Sequence, residues 1–293
     1  MRLGFIGLGI MGGAMTANLL KANWRVTVHD VRREAADPHL AAGAAWAETP
    51  AAMARTCDVI FSCLPDFEAI EAVALGPDGV LAGARPGTAL FEMSTNTPAL
   101  VRQLNAAFEA KGAHMLDAPI SGGAAGARSG RLAVWVGGDR AVFDRCKPAL
   151  DALADTVSHV GPSGAGLVTK LVHNCASQAM QAALAAVFVM GVKAGAEPTA
   201  LWQAIRQGSI GRRRSFDGLV DEFLPGSYDS PSAALRIVHK DMMAATGLAR
   251  DLNVPMRFAN LALADLAEAM NRGWAERDAR AVMLLPQERA GVH

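Results

Sequence analysis

The stretch RLGFIGLGIMGGAM, residues 2–15, decides the fold of the N-terminal half. A short apolar run, RLGFI, leads directly into GLGIMG, and apolar residues at helical spacing follow. In this Gly-x-Gly-x-x-Gly spacing, Gly7 permits a tight turn, Gly9 lets a pyrophosphate approach the backbone, and Gly12 lets the helix pack closely on the strand. The stretch therefore predicts a strand, turn and helix that bind a dinucleotide.

The residues after the first strand refine this prediction. The helix would begin at Ile10 and Met11, where its N-terminus faces the phosphate charge. A second strand-like run, RVTVH, ends at Asp30, 18 residues beyond the last glycine, where a carboxylate grips a ribose diol and favours NAD. Arg32 and Arg33 could instead hold the 2′-phosphate of NADP. The cofactor is thus expected to be NAD or NADP, with a slight preference for NAD; the alternative is that Asp30 only caps a turn and the arginines are solvated.

Short apolar runs alternate with helical patterns through the first half of the chain. The strand-like runs are LGFIG, RVTVH, DVIFSCL, TALFEMS and RLAVWVGG, and segments such as PALVRQLNAAFEAKG between them have helical spacing. This alternation predicts an α/β, Rossmann-type domain with a parallel sheet covered by helices on both faces.

The pattern changes after the small-residue hinge GPSGAG, which begins at residue 161. Beyond it the sequence predicts helices alone, at residues 165–194, 198–208, 232–250, 254–272 and 276–287. We therefore expect two domains joined by a long helix. Residues 1–162 would form the NAD(P)-binding domain, and residues 163–293 an all-helical domain for substrate binding and oligomerisation.

Composition excludes several classes of function. The 293 residues carry 28 basic and 28 acidic side chains, so no field of one sign is available for nucleic acid or an anionic membrane. The four cysteines form no CxxC pair and have no His/Cys partner spacing, which argues against a metal site and a disulfide framework. The first residues lack the pattern of a secretory signal. These features predict a cytoplasmic protein without a bound metal.

A lysine stands at the start of the longest charge-free region. No charged residue occurs in the 22 residues 171–192 that follow Lys170, a length that could span a bilayer. Polar residues interrupt the run, however, and at helical spacing they form one stripe with Lys170: His173, Asn174, Ser177, Gln178 and Gln181. Because polar groups are costly in hydrocarbon, a helix buried between domains or subunits is the better prediction.

In a dehydrogenase, this lysine could transfer a proton to or from the substrate. A proton must leave or reach the substrate oxygen while hydride passes to or from nicotinamide, and desolvation lowers the pKa of a lysine toward the range useful for that transfer. Asn174, one turn on, could hold the substrate oxygen or the lysine. The alternative is that Lys170 simply extends out of the helix start to water.

Two further clusters carry chemistry. In DAPISGG, residues 117–123, Ser121, Gly122 and Gly123 offer a hydroxyl and backbone N–H groups that suit a carboxylate, although such loops are often plain turns. In HKD, Lys240 and Asp241 lie within a predicted helix, and spacing alone favours a surface ion pair.

These clusters, with GLGIMG at the N-terminus, resemble the β-hydroxyacid dehydrogenase family, which includes 3-hydroxyisobutyrate dehydrogenase and tartronate semialdehyde reductase. CLPD at 63–66, MSTNTP at 93–98 and GRLAVWVGGD at 130–139 occur in family order. The resemblance implies that Lys170 is the catalytic acid/base, that Asn174 assists it, and that Ser121, Gly122 and Gly123 hold the carboxylate of a small substrate.

The resemblance also implies roles for residues that the patterns alone left open. Leu64, Pro65 and Thr95 would line the nicotinamide side of the cofactor. Lys240 would contact the cofactor from the helical domain, and Asp241 would support the substrate site. Family members assemble through the helical domain, so a homodimer or homotetramer is expected.

The sequence departs from the family pattern in three places. His173 stands where the family often has a second asparagine, and Ala233 where it frequently has phenylalanine. Arg212, Arg213 and Arg214 could grip a second anionic group or form a solvated loop. Two other functions are alternatives: an NADPH-dependent imine reductase, which usually has Asp or Tyr in place of the lysine, and a non-catalytic dinucleotide-binding scaffold.

Overall fold

The computed structural model describes residues 1–193, 195–208, 226–251 and 257–291. Arg212, Arg213 and Arg214 lie outside these residues. By internal contacts the chain divides into two units, Met1–Lys170 and Leu171–His293.

The first unit consists of alternating strands and helices. Its strands are β1 (Leu3–Ile6), β2 (Val26–His29), β3 (Ala45–Trp46), β4 (Val59–Ser62), β5 (Ala89–Glu92), β6 (His114–Asp117), β7 (Ile120–Ser121), β8 (Ala133–Gly137) and β9 (Thr156–Gly161). Its helices are α1 (Ile10–Lys21), α2 (Asp37–Ala41), α3 (Pro50–Thr56), α4 (Phe67–Leu75), α5 (Val80–Gly83), α6 (Pro98–Ala110), α7 (Gly123–Ser129), α8 (Arg140–Leu150) and the start of α9 (Ala165–Lys193).

The strands form one sheet in the order β3-β2-β1-β4-β5-β6-β8-β7, with β9 paired to β8. The six strands from β3 to β6 are parallel, which confirms the predicted Rossmann-type core. At the far edge of the sheet, β8 runs antiparallel to β6 and β7. The chain leaves β7 through the seven-residue α7 and returns as β8, antiparallel to β7.

Burial of the central strands on both faces explains why their sequences are unbroken apolar runs. Every residue of β1, β4 and β5 is buried, as expected for parallel strands covered on both faces. The parallel register aligns Phe5, Phe61 and Phe91 across these strands, with ring centroids 6.1 and 5.6 Å apart. These rings form the centre of the core.

The same register sets a row of residues at the carboxyl edge of the sheet. Ile6 pairs with Ser62, Ser62 with Glu92, and Glu92 with Asp117. The loops that carry the fingerprint and the CLPD, MSTNTP and DAPISGG motifs begin at or after this row. Ligands of open α/β sheets bind at this edge, so the topology collects the predicted site residues of the first unit there.

The second unit is helical throughout the part that the structure describes. After the remainder of α9 come α10 (Pro198–Gln207), α11 (Leu235–Asp251), α12 (Arg257–Asn271), a 3-10 turn at Ala279–Met283 and α13 (Leu284–Arg289). The predicted start of the helix at residues 276–287 is wrong. Asp278 caps a 3-10 turn there, and the α-helix starts at Leu284. Among the described helices, none has the length and apolarity needed to cross a membrane.

A buried carboxylate joins two segments of the second unit. Asp278 is 2% exposed and accepts hydrogen bonds from Ser232 N at 2.8 Å and from Arg280 Nε at 2.8 Å. Ala233, the position at which the family frequently has phenylalanine, is exposed in the loop held by this contact.

Candidate active site

The fingerprint turn needs glycine at its first and third positions. Gly7 has φ +88°, and a Cβ there would overlap the carbonyl oxygen of Cys63. A Cβ on Gly12 would overlap the carbonyl oxygen of Gly7 and lie 3.0 Å from the Phe5 ring. These contacts give the strand and helix of the N-terminal unit their close approach.

Gly9 differs, because a Cβ there would meet nothing within 4 Å. Gly9 is also the residue before the first helical position of α1, so it has no side chain to bond the helix N–H groups, and the first turn holds no acidic residue. Ile10 is 76% exposed and Met11 half-buried. An uncapped helix N-terminus beside open space suits an anion, so these residues fit a dinucleotide pyrophosphate.

Asp30 lies directly after β2 and is buried. Its carboxylate accepts hydrogen bonds from Leu8 N at 2.7 Å and from Arg32 N at 2.9 Å, which fix it beside the fingerprint turn. Arg33 is engaged elsewhere: its guanidinium lies 4.4 Å from the centre of the Trp46 ring. The carboxylate of Asp30, which is predicted to bind the ribose, is thus held in a fixed position.

A buried network orders the loops after β4 and β5, and sequence reasoning missed it. Glu92, 1% exposed, accepts hydrogen bonds from Ser62 Oγ at 2.5 Å and from Ser94 N at 2.7 Å. Ser94 Oγ in turn accepts a hydrogen bond from Leu64 N at 2.7 Å. The signal was a lone glutamate in an otherwise apolar strand-like run. The network holds together the loops in which the residues predicted to line the cofactor lie. Of these residues, Leu64 is half-buried, Pro65 is exposed and Thr95 is buried.

Asp117, the last residue of β6, is a second buried carboxylate without a predicted role. It is 1% exposed, and its two oxygens accept hydrogen bonds from Gly164 N and Leu167 N, each at 2.7 Å. Burial raises the pKa of this carboxyl, and the backbone N–H groups oppose that rise. The side chain holds the first turn of α9 in the way a helix-capping residue does, but from a distant strand.

The predicted carboxylate cradle follows Asp117 closely. Ser121 ends β7 and is half-buried, whereas Gly122 and Gly123 are exposed and adopt φ +132° and +60°. Residues with a Cβ rarely adopt such φ angles, so these two positions require glycine. A Cβ on Gly123 would meet nothing within 4 Å, so the backbone is open to a ligand.

Lys170 is half-buried in the second turn of α9, within the first unit. Asn174 follows one helical turn later and belongs to the second unit. There the structure brings Asn174 and Asp241 together: Asn174 Nδ2 donates to Asp241 Oδ2 at 2.7 Å. Asp241 is 5% exposed and Lys240 Nζ lies 3.4 Å from its Oδ1, so the HKD pair is not a surface ion pair.

His173 completes this contact chain. Its Nδ1 lies 3.2 Å from Asn174 Oδ1. Since the carboxylate of Asp241 can only accept, it requires the amide nitrogen of Asn174 to face it, which leaves the amide oxygen for His173. The imidazole that replaces the usual family asparagine is therefore itself engaged with the predicted assistant of Lys170.

Family models match both parts of the chain. The NAD-binding domain of 6-phosphogluconate dehydrogenase matches residues 2–161, and the NAD-binding domain of NADP-dependent 3-hydroxyisobutyrate dehydrogenase matches residues 164–285. The chain belongs to the 3-hydroxyisobutyrate dehydrogenase family. It is accordingly an NAD(P)-dependent oxidoreductase that acts on the CH–OH group of a hydroxy acid, as the family resemblance predicted.

Named relatives of this family cover nearly the whole chain. The 2-(hydroxymethyl)glutarate dehydrogenase of Eubacterium barkeri is 32% identical over 99% of this chain and 96% of its own length. The NAD-dependent L-serine dehydrogenase of Pseudomonas aeruginosa is 34% identical over 97% of each chain. The structure of 3-hydroxyisobutyrate dehydrogenase from Mycobacterium tuberculosis with L-serine has a TM-score of 0.87 at 29% identity and covers 97% of this chain and 99% of that one.

Imine reductases share the architecture of the 3-hydroxyisobutyrate dehydrogenase family. The Myxococcus stipitatus enzyme with NADP⁺ has a TM-score of 0.61 at 19% identity, over 97% of this chain and 99% of that one. At this identity the likeness shows the fold alone. The dehydrogenases are better supported, because relatives with more than 30% identity over nearly the full chain are named as such.

Proposed function

We propose that this protein oxidises a small 3-hydroxy acid to the corresponding semialdehyde or keto acid, and catalyses the reverse reduction, with NAD as the slightly preferred cofactor. One observation supports the site assignment most strongly. The row Ile6, Ser62, Glu92 and Asp117 supports it, because the segments GLGIMG, CLPD, MSTNTP and DAPISGG begin at or after this row, at one edge of a single sheet.

In this proposal each group has one task. Ser121 Oγ and the N–H groups of Gly122 and Gly123 bind the substrate carboxylate and orient the hydroxyl-bearing carbon. A bound nicotinamide would supply the acceptor for the hydride of that carbon. Lys170 Nζ takes the hydroxyl proton as the C=O bond forms and returns it in the reverse direction. Asn174 holds the reacting oxygen or the amine in position.

The remaining residues serve the cofactor and the scaffold. We propose Gly7, Gly9, Ile10, Met11 and Gly12 for the pyrophosphate. Leu64, Pro65 and Thr95 would line the nicotinamide side, Lys240 would contact the cofactor, and Asp241 would support the substrate site by holding Asn174. We further propose a homodimer or homotetramer with the domain boundary at residues 162/163. We also propose a cytoplasmic location, which suits four cysteines that form no disulfide.

The substrate class can be tested directly. Purified protein would be assayed with L-serine, 3-hydroxyisobutyrate, glycerate, 4-hydroxybutyrate and bulkier 3-hydroxy acids, each with NAD and with NADP. We expect the highest kcat/KM for a 3-hydroxy acid. Equal rates with simple alcohols that lack a carboxylate would contradict the proposal.

Substitution of the cradle should affect the substrate alone. Ser121→Ala is expected to raise the substrate KM by roughly 10- to 100-fold, because a hydrogen bond to a charged group contributes about 1.5–3 kcal/mol. The KM for the dinucleotide should not change. Ser129→Ala is the matched control, since that exposed hydroxyl donates to carbonyl oxygens within α7 and accepts from Arg131 Nε at 3.5 Å. An unchanged substrate KM in Ser121→Ala would remove Ser121 from the site.

Asp30 offers a test of cofactor preference. Asp30→Asn removes the negative charge that would repel a 2′-phosphate, so the ratio of kcat/KM for NAD to that for NADP should fall, by about tenfold for a change of about 1.4 kcal/mol. Asp144→Asn is the control, because Asp144 is exposed and pairs at 2.9 Å with Arg140, which has no proposed role in cofactor binding. A constant ratio in the Asp30 variant would show that this carboxylate does not select the cofactor.

A further inference from the structure

Asp117 makes contacts that the sheet itself does not require. It ends β6, yet its side chain points its two oxygens at backbone N–H groups 47 and 50 residues later in the chain, those of Gly164 and Leu167. A carboxylate that accepts backbone N–H groups at a helix start stabilises that start and fixes its orientation. Here the helix is α9, which carries Lys170.

Two glycines make room for this contact. A Cβ on Gly137 would lie 2.7 Å from Asp117 Oδ1, and a Cβ on Gly166 would lie 2.9 Å from Asp117 Oδ2. Any larger residue at either position would press on the carboxylate. The carboxylate is therefore enclosed by the strand beside it and by the helix it holds, which leaves the first turn of α9 little freedom to rotate or slide.

The position of Leu167 connects this anchor to the chemistry. Lys170 lies three residues further along α9, about 4.5 Å along the helix axis and on a neighbouring part of the same face. On the other side of Asp117, Ser121 follows after four residues, and the intervening Ala118 N donates to Glu92 O at 2.8 Å. The side chain of Asp117 thus holds the helix that carries the proposed proton acceptor, while its backbone leads into the proposed carboxylate cradle.

We propose that Asp117 is a positioning residue that sets the reach of Lys170 toward the substrate bound at Ser121–Gly123. The proposal rests on the proposed function of Lys170 as the acid/base. Asn cannot replace Asp117, because an amide nitrogen would meet one of the two N–H donors with a donor of its own. The resulting shift at the start of α9 displaces the amine, and misplacement of a reacting group by about 1 Å can cost 10²-fold in rate.

A double-mutant cycle tests the proposal. Wild type, Asp117→Asn, Lys170→Ala and the double variant would be compared in kcat, in substrate KM and in dinucleotide affinity measured by fluorescence titration. We expect Asp117→Asn to lower kcat by about 100-fold with little change in substrate KM and none in dinucleotide affinity. In the Lys170→Ala background the same change should have no further effect, because residues that act as a unit are not additive.

The outcomes separate the inference from the proposed function. If Asp117→Asn lowers kcat equally in both backgrounds, or leaves kcat unchanged, the positioning role is wrong while the role of Lys170 stands. If Lys170→Ala keeps wild-type activity, the proposed function itself fails. Asp139→Asn controls for the general loss of a helix cap, since Asp139 accepts from Val142 N at the start of α8.

A second variant keeps the test decisive if Asp117→Asn does not fold. Gly137→Ala retains the carboxylate but adds a methyl group against Asp117 Oδ1, at a position whose φ is not positive. It should lower kcat in the same direction, with dinucleotide affinity retained, and again only when Lys170 is present. Equal losses with and without Lys170 would overturn the proposal.

Discussion

Replacing Lys170 with alanine is expected to lower kcat by roughly 10²- to 10⁴-fold, the contribution of one positioned acid–base group. Without the amine, the hydroxyl proton has no acceptor as hydride leaves the adjacent carbon. Dinucleotide affinity should be retained, because the fingerprint turn, Asp30 and the Glu92 network involve other residues. Steady-state kinetics with fluorescence titration of the dinucleotide would measure both quantities.

The control for this variant is Lys147→Ala. Lys147 is a half-exposed lysine of α8 that pairs with Asp151 at 2.6 Å, so its loss removes a charge of the same kind from the same unit. We expect near wild-type kcat for it. Activity of Lys170→Ala close to that of the control would show that another group moves the proton.

Substitution of Gly9 with alanine should weaken dinucleotide binding without destabilising the fold. A Cβ at Gly9 meets no protein atom within 4 Å, and φ is −65°, which alanine adopts readily. The methyl group would instead occupy space proposed for the pyrophosphate. Overpacking by about 1–3 kcal/mol would weaken dinucleotide affinity by roughly 10- to 100-fold. Fluorescence titration would measure affinity, and thermal unfolding would measure stability.

Gly12→Ala is the matched contrast. A Cβ at Gly12 would overlap the carbonyl oxygen of Gly7, so this variant should lower the melting temperature as well as affinity. The hypothesis predicts loss of binding with a stable fold at Gly9, and loss of both at Gly12. Wild-type dinucleotide affinity in Gly9→Ala would place the pyrophosphate elsewhere.

Much of the fold follows from local patterns. Buried parallel strands need unbroken apolar runs, and β1, β4 and β5 were predicted for that reason. The two-residue strands β3 and β7 were not, because a strand so short carries no detectable periodicity. Strand β9 was missed because none of its residues is buried and its sequence, TVSHVG, mixes polar and apolar positions.

Some residues of the candidate site could likewise be predicted from the sequence, whereas others required the structure. GLGIMG, Asp30 and Lys170 could be proposed from sequence, since each belongs to a motif or breaks a clear pattern. The contact of Asn174 with Asp241 joins residues 67 positions apart and required the structure. Spacing alone favours a surface ion pair for Asp241, whereas the structure buries it.

By itself, the sequence determined that this chain forms a dinucleotide-binding sheet followed by helices, because strand, helix and turn preferences act over a few neighbouring residues. Only the tertiary structure decided that Asp117 holds the start of the helix carrying Lys170, and that Glu92 orders the loops after β4 and β5. Such contacts depend on strand register and on which buried carboxylate finds backbone N–H groups to bind, and burial makes that pairing obligatory. No local pattern encodes a partner 50 residues away.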